Sequence, residues 1–221
     1  PLGYSALGGQ TLNPYGRKIF ESGGSSSGSG VAISTNLSSV ALGSETSGSI
    51  LSPSSLNSIV GLKPTIGLVS RTGIVPISST LDTSGPMTKN VIDNVIVFNS
   101  IMGFDNNDSY SKEKIYINIK QITNSSLNGV RLGVFKELLN EPLYKKAIAE
   151  IQEAGGTIIE FEPPKINFSG FRKILDVDMK KELPEYLLKY SKQHLDVKNI
   201  SDIMNFNLKD SLKRSPYGQG I

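Results

Sequence analysis

Residues 21–30 read ESGGSSSGSG, the composition of a flexible tether, and fifteen serines fall between Ser22 and Ser58. Gly/Ser-rich segments ordinarily behave as loose chain, because they carry too little apolar surface to offset the entropy of ordering. The residues that follow argue against a tether. Val31–Leu37 (VAISTNL) is apolar enough for a short helix beginning near Ser29, and Ser38–Ser44 (SSVALGS) reads as a buried strand. Next come the turn ETSGS, then ILSPSSLNS as a short helix with Pro53 tolerated in its first turn. IVGLKPT is a further strand, closed by Pro64. Loose chain has no reason to lead straight into helix, strand, turn and helix. Ser25–Gly30 is therefore expected to be ordered and packed against the turn at Ser49, with hydroxyls in hydrogen-bond reach or one water apart.

Further along, Thr88 is expected to cap a helix over Asn90–Met102, with Gly103 as its terminator. Val91, Ile92, Val95, Ile96, Phe98, Ile101 and Met102 nearly surround that helix, which predicts burial on all sides. Gly129–Lys136 reads as a strand, Pro142 opens a helix through Ala154, Gly155-Gly156 ends it, and Thr157–Phe161 is a second strand. A strand–helix–strand crossover implies a parallel pair and an α/β class. Residues 171–213 read as helical in two or three pieces, broken at Pro184 and near Val197.

Composition bounds the function. The 221 residues are 38% hydrophobic and 19% charged, enough for one large globular domain or one and a half. The absence of cysteine excludes disulfides and thiolate chemistry and fits a reducing, cytoplasmic compartment. A net charge of +3, with lysine pairs flanked by acids, argues against nucleic acid as a partner. No apolar run is long enough to span a bilayer, so no membrane partner is expected. Residues 1–100 hold five Lys/Arg and four Asp/Glu, against eighteen and sixteen in 101–221. The shift near Gly103 separates an almost uncharged Gly/Ser-rich block, 1–103, from an ordinary solvated α/β continuation, 104–221.

Two clusters carry candidate chemistry: Gly23–Ser29 (GGSSSGS) and Gly43–Ser49 (GSETSGS). The second ends a strand in a tight turn, where successive backbone N–H groups can converge on one point and form an oxyanion hole. The first brings hydroxyls to a helix N-terminus. A serine nucleophile needs a proton acceptor, and a second hydroxyl can relay the proton to a more distant base.

In order and spacing, GGSSSGS – ALGSETSGSI – VGLKPTIGLVSRTGIVP – LDTSGPM resembles the amidase signature family, serine hydrolases that cleave carboxamides. The likeness begins around YSALGGQTLNPY, is firm to Met102 and continues more loosely beyond. It implies an amidase-signature fold, a mixed, mainly parallel sheet flanked by helices, here incomplete. It also implies a Ser–Ser–Lys triad whose bridging serine is linked by a cis peptide bond. By position Ser49 corresponds to the nucleophile and Ser25, twenty-four residues earlier, to the bridging serine. Backbone N–H groups of Thr46, Ser47, Gly48 and Ser49 would form the oxyanion hole, while Ser26, Asp82 and Arg71 would order loops. The Gly24–Ser25 bond itself is expected to be trans, although the surroundings of Ser25 favour the cis bond typical of the bridging serine.

The family's catalytic lysine lies well upstream of the bridging serine. Lys18, in GRKIF, matches no motif, and Lys63, in GLKPT, matches a scaffold position. The chain, which opens on Pro1, thus reads as an internal piece lacking the lysine segment and the C-terminal part, and inactive by itself. Glu45, Ser47 and Leu51 stand where many members carry Asp, Gly and Arg, a combination similar to the peptide amidase branch. The implied partner is a small-molecule or peptide amide, with no cofactor. Two alternatives stay open: a defunct binding or assembly module, and the transamidase component of an amidotransferase. His194, the only histidine, sits in the charged segment SKQHLD and reads as solvated surface, and one histidine excludes a two-histidine metal site.

Overall fold

A computed structural model of the protein describes residues 2–123, 126–191 and 196–218. His194 lies outside these residues. The chain forms two compact units, Pro1–Ile117 with Phe171–Ile221, and Asn118–Gly170.

The first unit opens with a short antiparallel pair, β1 (Tyr4–Ser5) and β2 (Gly9–Gln10). Helix α1 (Ser27–Ser34) follows, then β3 (Val40–Glu45), α2 (Leu51–Leu56) and β4 (Val60–Gly61). The serine run is ordered, and side-chain donors explain how so apolar-poor a segment is held. Asn13 Nδ2 donates to the Glu21 carbonyl at 2.9 Å, Asn57 Nδ2 to the Ser22 carbonyl at 2.8 Å, and the Ser27 hydroxyl to the Gly23 carbonyl. Gly23, at φ +68°, packs so close to α2 that a Cβ there would lie 2.8 Å from the Pro53 backbone.

The middle of the sheet is β5 (Thr83–Thr88), every residue of it buried, with antiparallel neighbours β3 and β4 on its two sides. The sequence does not announce this strand, because Gly85-Pro86 is turn chemistry. Gly85 is required where a Cβ would meet the Leu62 carbonyl at 2.0 Å. Pro86 gives no N–H, yet its carbonyl accepts from the Leu62 N–H at 3.1 Å and from Asn94 Nδ2 at 3.1 Å.

Helix α3 (Val91–Ile101) is capped by Asn90, whose side chain accepts from the Asp93 N–H; Thr88 instead ends β5. Asparagine wins because its side chain reaches the N–H three residues on. Burial on all sides is corrected too. Val95 and Phe98 face inward, whereas Val91 and Ile96 are 52% and 46% exposed, because α3 packs on the sheet through one face. Val69, Phe98 and Met102 form a hydrophobic cluster with Leu62, Leu68, Ile101 and Ile117 around it.

The second unit holds α4 (Ile119–Thr123), β6 (Arg131–Phe135), α5 (Pro142–Glu153) and β7 (Thr157–Phe161). β6 and β7 pair in parallel, Arg131 opposite Thr157 and Phe135 opposite Phe161, as the crossover predicts. A mainly parallel sheet is corrected for the described residues: β6–β7 is the one parallel pair, and the three-stranded sheet is antiparallel throughout.

Back in the first unit are α6 (Phe171–Tyr190), α7 (Ile200–Leu208) and α8 (Ser211–Arg214). α6 runs through Pro184 rather than breaking there. The lost intrahelical bond is outweighed by anchors on both sides of the proline: Asp178 and Glu182 before it, Tyr186 after it, all bonded to the segment 73–80. Among the described residues, no helix is long and apolar enough to cross a membrane.

Candidate active site

β3 ends at Glu45, and the chain turns through Thr46–Gly48, with Gly48 at φ +84°, before entering α2. Glu45 is 3% exposed, and its Oε2 accepts from the N–H groups of Ile50 at 2.7 Å and Leu51 at 2.9 Å. An anion facing the first N–H groups of a helix satisfies donors that have no intrahelical partner. One side chain therefore closes both ends of the turn.

Ser26 closes it from the opposite segment. Its N–H donates to the Ser49 carbonyl at 3.1 Å, its hydroxyl donates to the Ser44 carbonyl at 3.2 Å, and the Ser44 N–H donates back to that hydroxyl at 3.1 Å. The serine run thus grips the residues on either side of the turn. Ser25, exposed, sits one residue before this contact, and Ser49 is half-buried. Gly24–Ser25 is a cis peptide bond, which corrects the expectation of trans. Cis geometry brings successive Cα atoms close, and Gly24 has no Cβ to crowd them.

Among the described residues, the N–H groups of Thr46, Ser47, Gly48 and Ser49 donate to no protein acceptor. All four belong to half-buried or exposed residues, so a ligand can reach the turn.

Asp82, 7% exposed, lies across from the turn. Its Oδ1 accepts from the Thr46 hydroxyl, and its Oδ2 from the N–H groups of Ile77 at 2.8 Å and Ser78 at 2.9 Å. Arg71 pairs with buried Asp108 through Nε and the backbone N–H, each 3.0 Å from Oδ2, and through a second guanidinium nitrogen to Oδ1. It also donates to the Ser79 carbonyl and stacks over Tyr110. The direct hydrogen bond from Arg71 holds the Asp108 carboxyl below the usual carboxylate range and raises the Arg71 guanidinium. Lys18 is exposed at φ +64°, and Lys63 is half-buried just after β4.

Three residues have structural roles that the sequence does not show. Glu45 matches a motif position, but its partners lie in the backbone beyond the turn. Asp178 and Glu182 reach the 78–80 segment from α6, a hundred residues away. Their four-residue spacing marks one helix face, but nothing in the sequence says what that face meets.

Residues 3–215 match the Amidase family. A probable amidase of Arabidopsis thaliana is 37% identical over 235 residues, spanning all of this chain and 45% of that relative. A structure of the peptide amidase PAM with the competitive inhibitor chymostatin superposes with a TM-score of 0.86 at 37% identity, over 98% of this chain and 46% of that one. A glutamyl-tRNA(Gln) amidotransferase component of Thermotoga maritima gives 0.70 at 28%, over 93% and 46%. The chain thus spans less than half the length of these relatives.

Proposed function

The chain belongs to the amidase family, and from that premise we propose that the protein is a serine amidohydrolase acting through an acyl-enzyme on Ser49. The Ser49 hydroxyl oxygen bonds to the carboxamide carbon while its proton passes to Ser25 and on to a base. The carbonyl oxygen becomes an oxyanion facing the N–H groups of Thr46–Ser49. The C–N bond then breaks, the nitrogen takes a proton and leaves as ammonia or an amine, and water hydrolyses the acyl ester to a carboxylic acid. The base in this reading is a lysine other than Lys18 or Lys63.

What carries the reading is the turn itself. Among the described residues, four consecutive N–H groups without a protein acceptor are held between Glu45 and Ser26, beside the two serines in question. Donors fixed in advance cost no reorganisation as charge develops on the carbonyl oxygen, and removing one such donor typically costs about 10²–10³ in rate. The 1–103 block supplies these motifs, and 104–221 continues the same domain. A peptide or amino-acid amide is the substrate class we favour, because the likeness to a peptide amidase is fuller than that to the amidotransferase component. Ammonia release from a C-terminally amidated peptide tests this, using the intact protein and its Ser49→Ala and Ser25→Ala variants. Both variants should lose nearly all activity. Wild-type turnover by Ser49→Ala would refute the assignment.

A further inference from the structure

Asp82 does not stand alone behind the Thr46–Ser49 turn. The segment that carries it, Ile77–Asp82, folds back on its own carboxylate: the Ile77 and Ser78 N–H groups donate to Oδ2, and the Asp82 N–H donates to the Ser78 carbonyl at 2.8 Å. Those bonds close a small ring but do not themselves tie it to a neighbouring element. Two carboxylates from α6 anchor it from outside. The Ser78 hydroxyl donates to Asp178 Oδ2 at 2.5 Å, and the Ser79 N–H lies 3.0 and 3.2 Å from the two Glu182 oxygens. Thr80 reaches the same Asp178 oxygen at 3.3 Å. Tyr186, one further turn along the helix face, donates to the Gly73 carbonyl at 3.4 Å.

We propose that Asp178 and Glu182 are positioning residues of the amidase reaction, bracing the oxyanion turn from α6 through Ser78, Ser79, Asp82 and the Thr46 hydroxyl. This inference rests on the serine amidohydrolase reading. Ser78 is fully buried and its hydroxyl has a carboxylate acceptor, a charge-assisted bond of the stronger kind. The Ser79 carbonyl is held at the same time by Arg71. The segment is thus gripped by an anion on its N–H side and a cation on its carbonyl side. Asp82 then has one orientation from which to accept the hydrogen bond of the Thr46 hydroxyl, and Thr46 opens the turn whose N–H groups face the oxyanion. Misplacing such donors by a fraction of an ångström weakens them in the transition state more than it weakens substrate binding.

The test is a kinetic cycle on the intact protein, with kcat expressed per site titrated by a serine-reactive probe. Asp178→Ala with Glu182→Ala should lower kcat about tenfold and leave KM within about twofold, the mark of an interaction realised in the transition state. Asp178→Asn with Glu182→Gln keeps an acceptor oxygen at each position and should recover most of the loss. In a Thr46→Val background, where the path is already cut, the alanine pair should cost less than about twofold more. Should the alanine pair not fold, Ser78→Ala removes one donor while leaving α6 intact and should still lower kcat about threefold. Unchanged kcat per titrated site, or losses that multiply in the Thr46→Val background, would overturn the brace. If Ser49→Ala is inactive while the α6 variants turn over normally, the brace fails and the reading of the site stands. If Ser49→Ala is active, both fall.

Discussion

The N–H of Ser26 donates to the carbonyl oxygen of Ser49 across 3.1 Å, joining a glycine–serine run to a turn twenty-odd residues away. With the Ser44 main chain bonded to the Ser26 hydroxyl, the contact spans both flanks of the turn. This is what converts a segment with the composition of a tether into a fixed wall beside Ser49.

Replacing Ser26 by alanine removes the hydroxyl that serves both the N–H and the carbonyl of Ser44. Gly43 leaves room for that hydroxyl, since a Cβ at 43 would lie 2.9 Å from it. Ser26→Ala should destabilise the protein by about 1–2 kcal/mol in urea unfolding and lower kcat about tenfold. A variant with unchanged stability and turnover would show that the contact is incidental.

Glu45 gives a graded pair of variants. Glu45→Gln keeps one oxygen facing the Ile50 and Leu51 N–H groups and should cost about 1 kcal/mol, whereas Glu45→Ala strands both donors and should cost about 3 kcal/mol. Ile50 is fully buried, so water cannot replace the lost acceptor for its N–H. Equal costs for the two variants would mean that the cap contributes little beyond side-chain volume.

The Arg71–Asp108 pair predicts a direction for acid unfolding. Asp108 is held below its ordinary value chiefly by its hydrogen bond to Arg71. A carboxyl depressed in the folded state contributes stability above its unfolded value, about 3.9, and that contribution is lost as pH falls through the folded value. Asp105, depressed by hydrogen bonds from the Ser70 and Thr72 hydroxyls, adds in the same sense. The thermal midpoint should therefore change little between pH 7 and 5 on account of this pair, and fall below about pH 4. Asp108→Asn should lower the midpoint at pH 7 and flatten that fall. A variant with the wild-type slope would place the acid sensitivity elsewhere.

Local pattern makes some of this architecture readable in advance. Pro142, Gly155-Gly156 and the apolar strands around them announce β6–α5–β7, because the strands pair across a single helix. The order of the serine run is also legible from its apolar neighbours. β5 is not, since Gly85 and Pro86 deny a strand by propensity and only pairing on both sides overrides it. Pro184 misleads for the same reason, its local signal being weaker than contacts to residues a hundred positions away. The α6 carboxylates are visible as a four-residue spacing, but their targets, Ser78 and Ser79, exist only in three dimensions.

The most direct test of the account is to label the intact protein with a serine-reactive fluorophosphonate and map the adduct by peptide mass spectrometry. A single adduct on Ser49, formed more slowly in Ser25→Ala and absent from Ser49→Ala, is the predicted result. Labelling that persists in Ser49→Ala, or an adduct mapped to another serine of the 22–58 segment, would contradict the account.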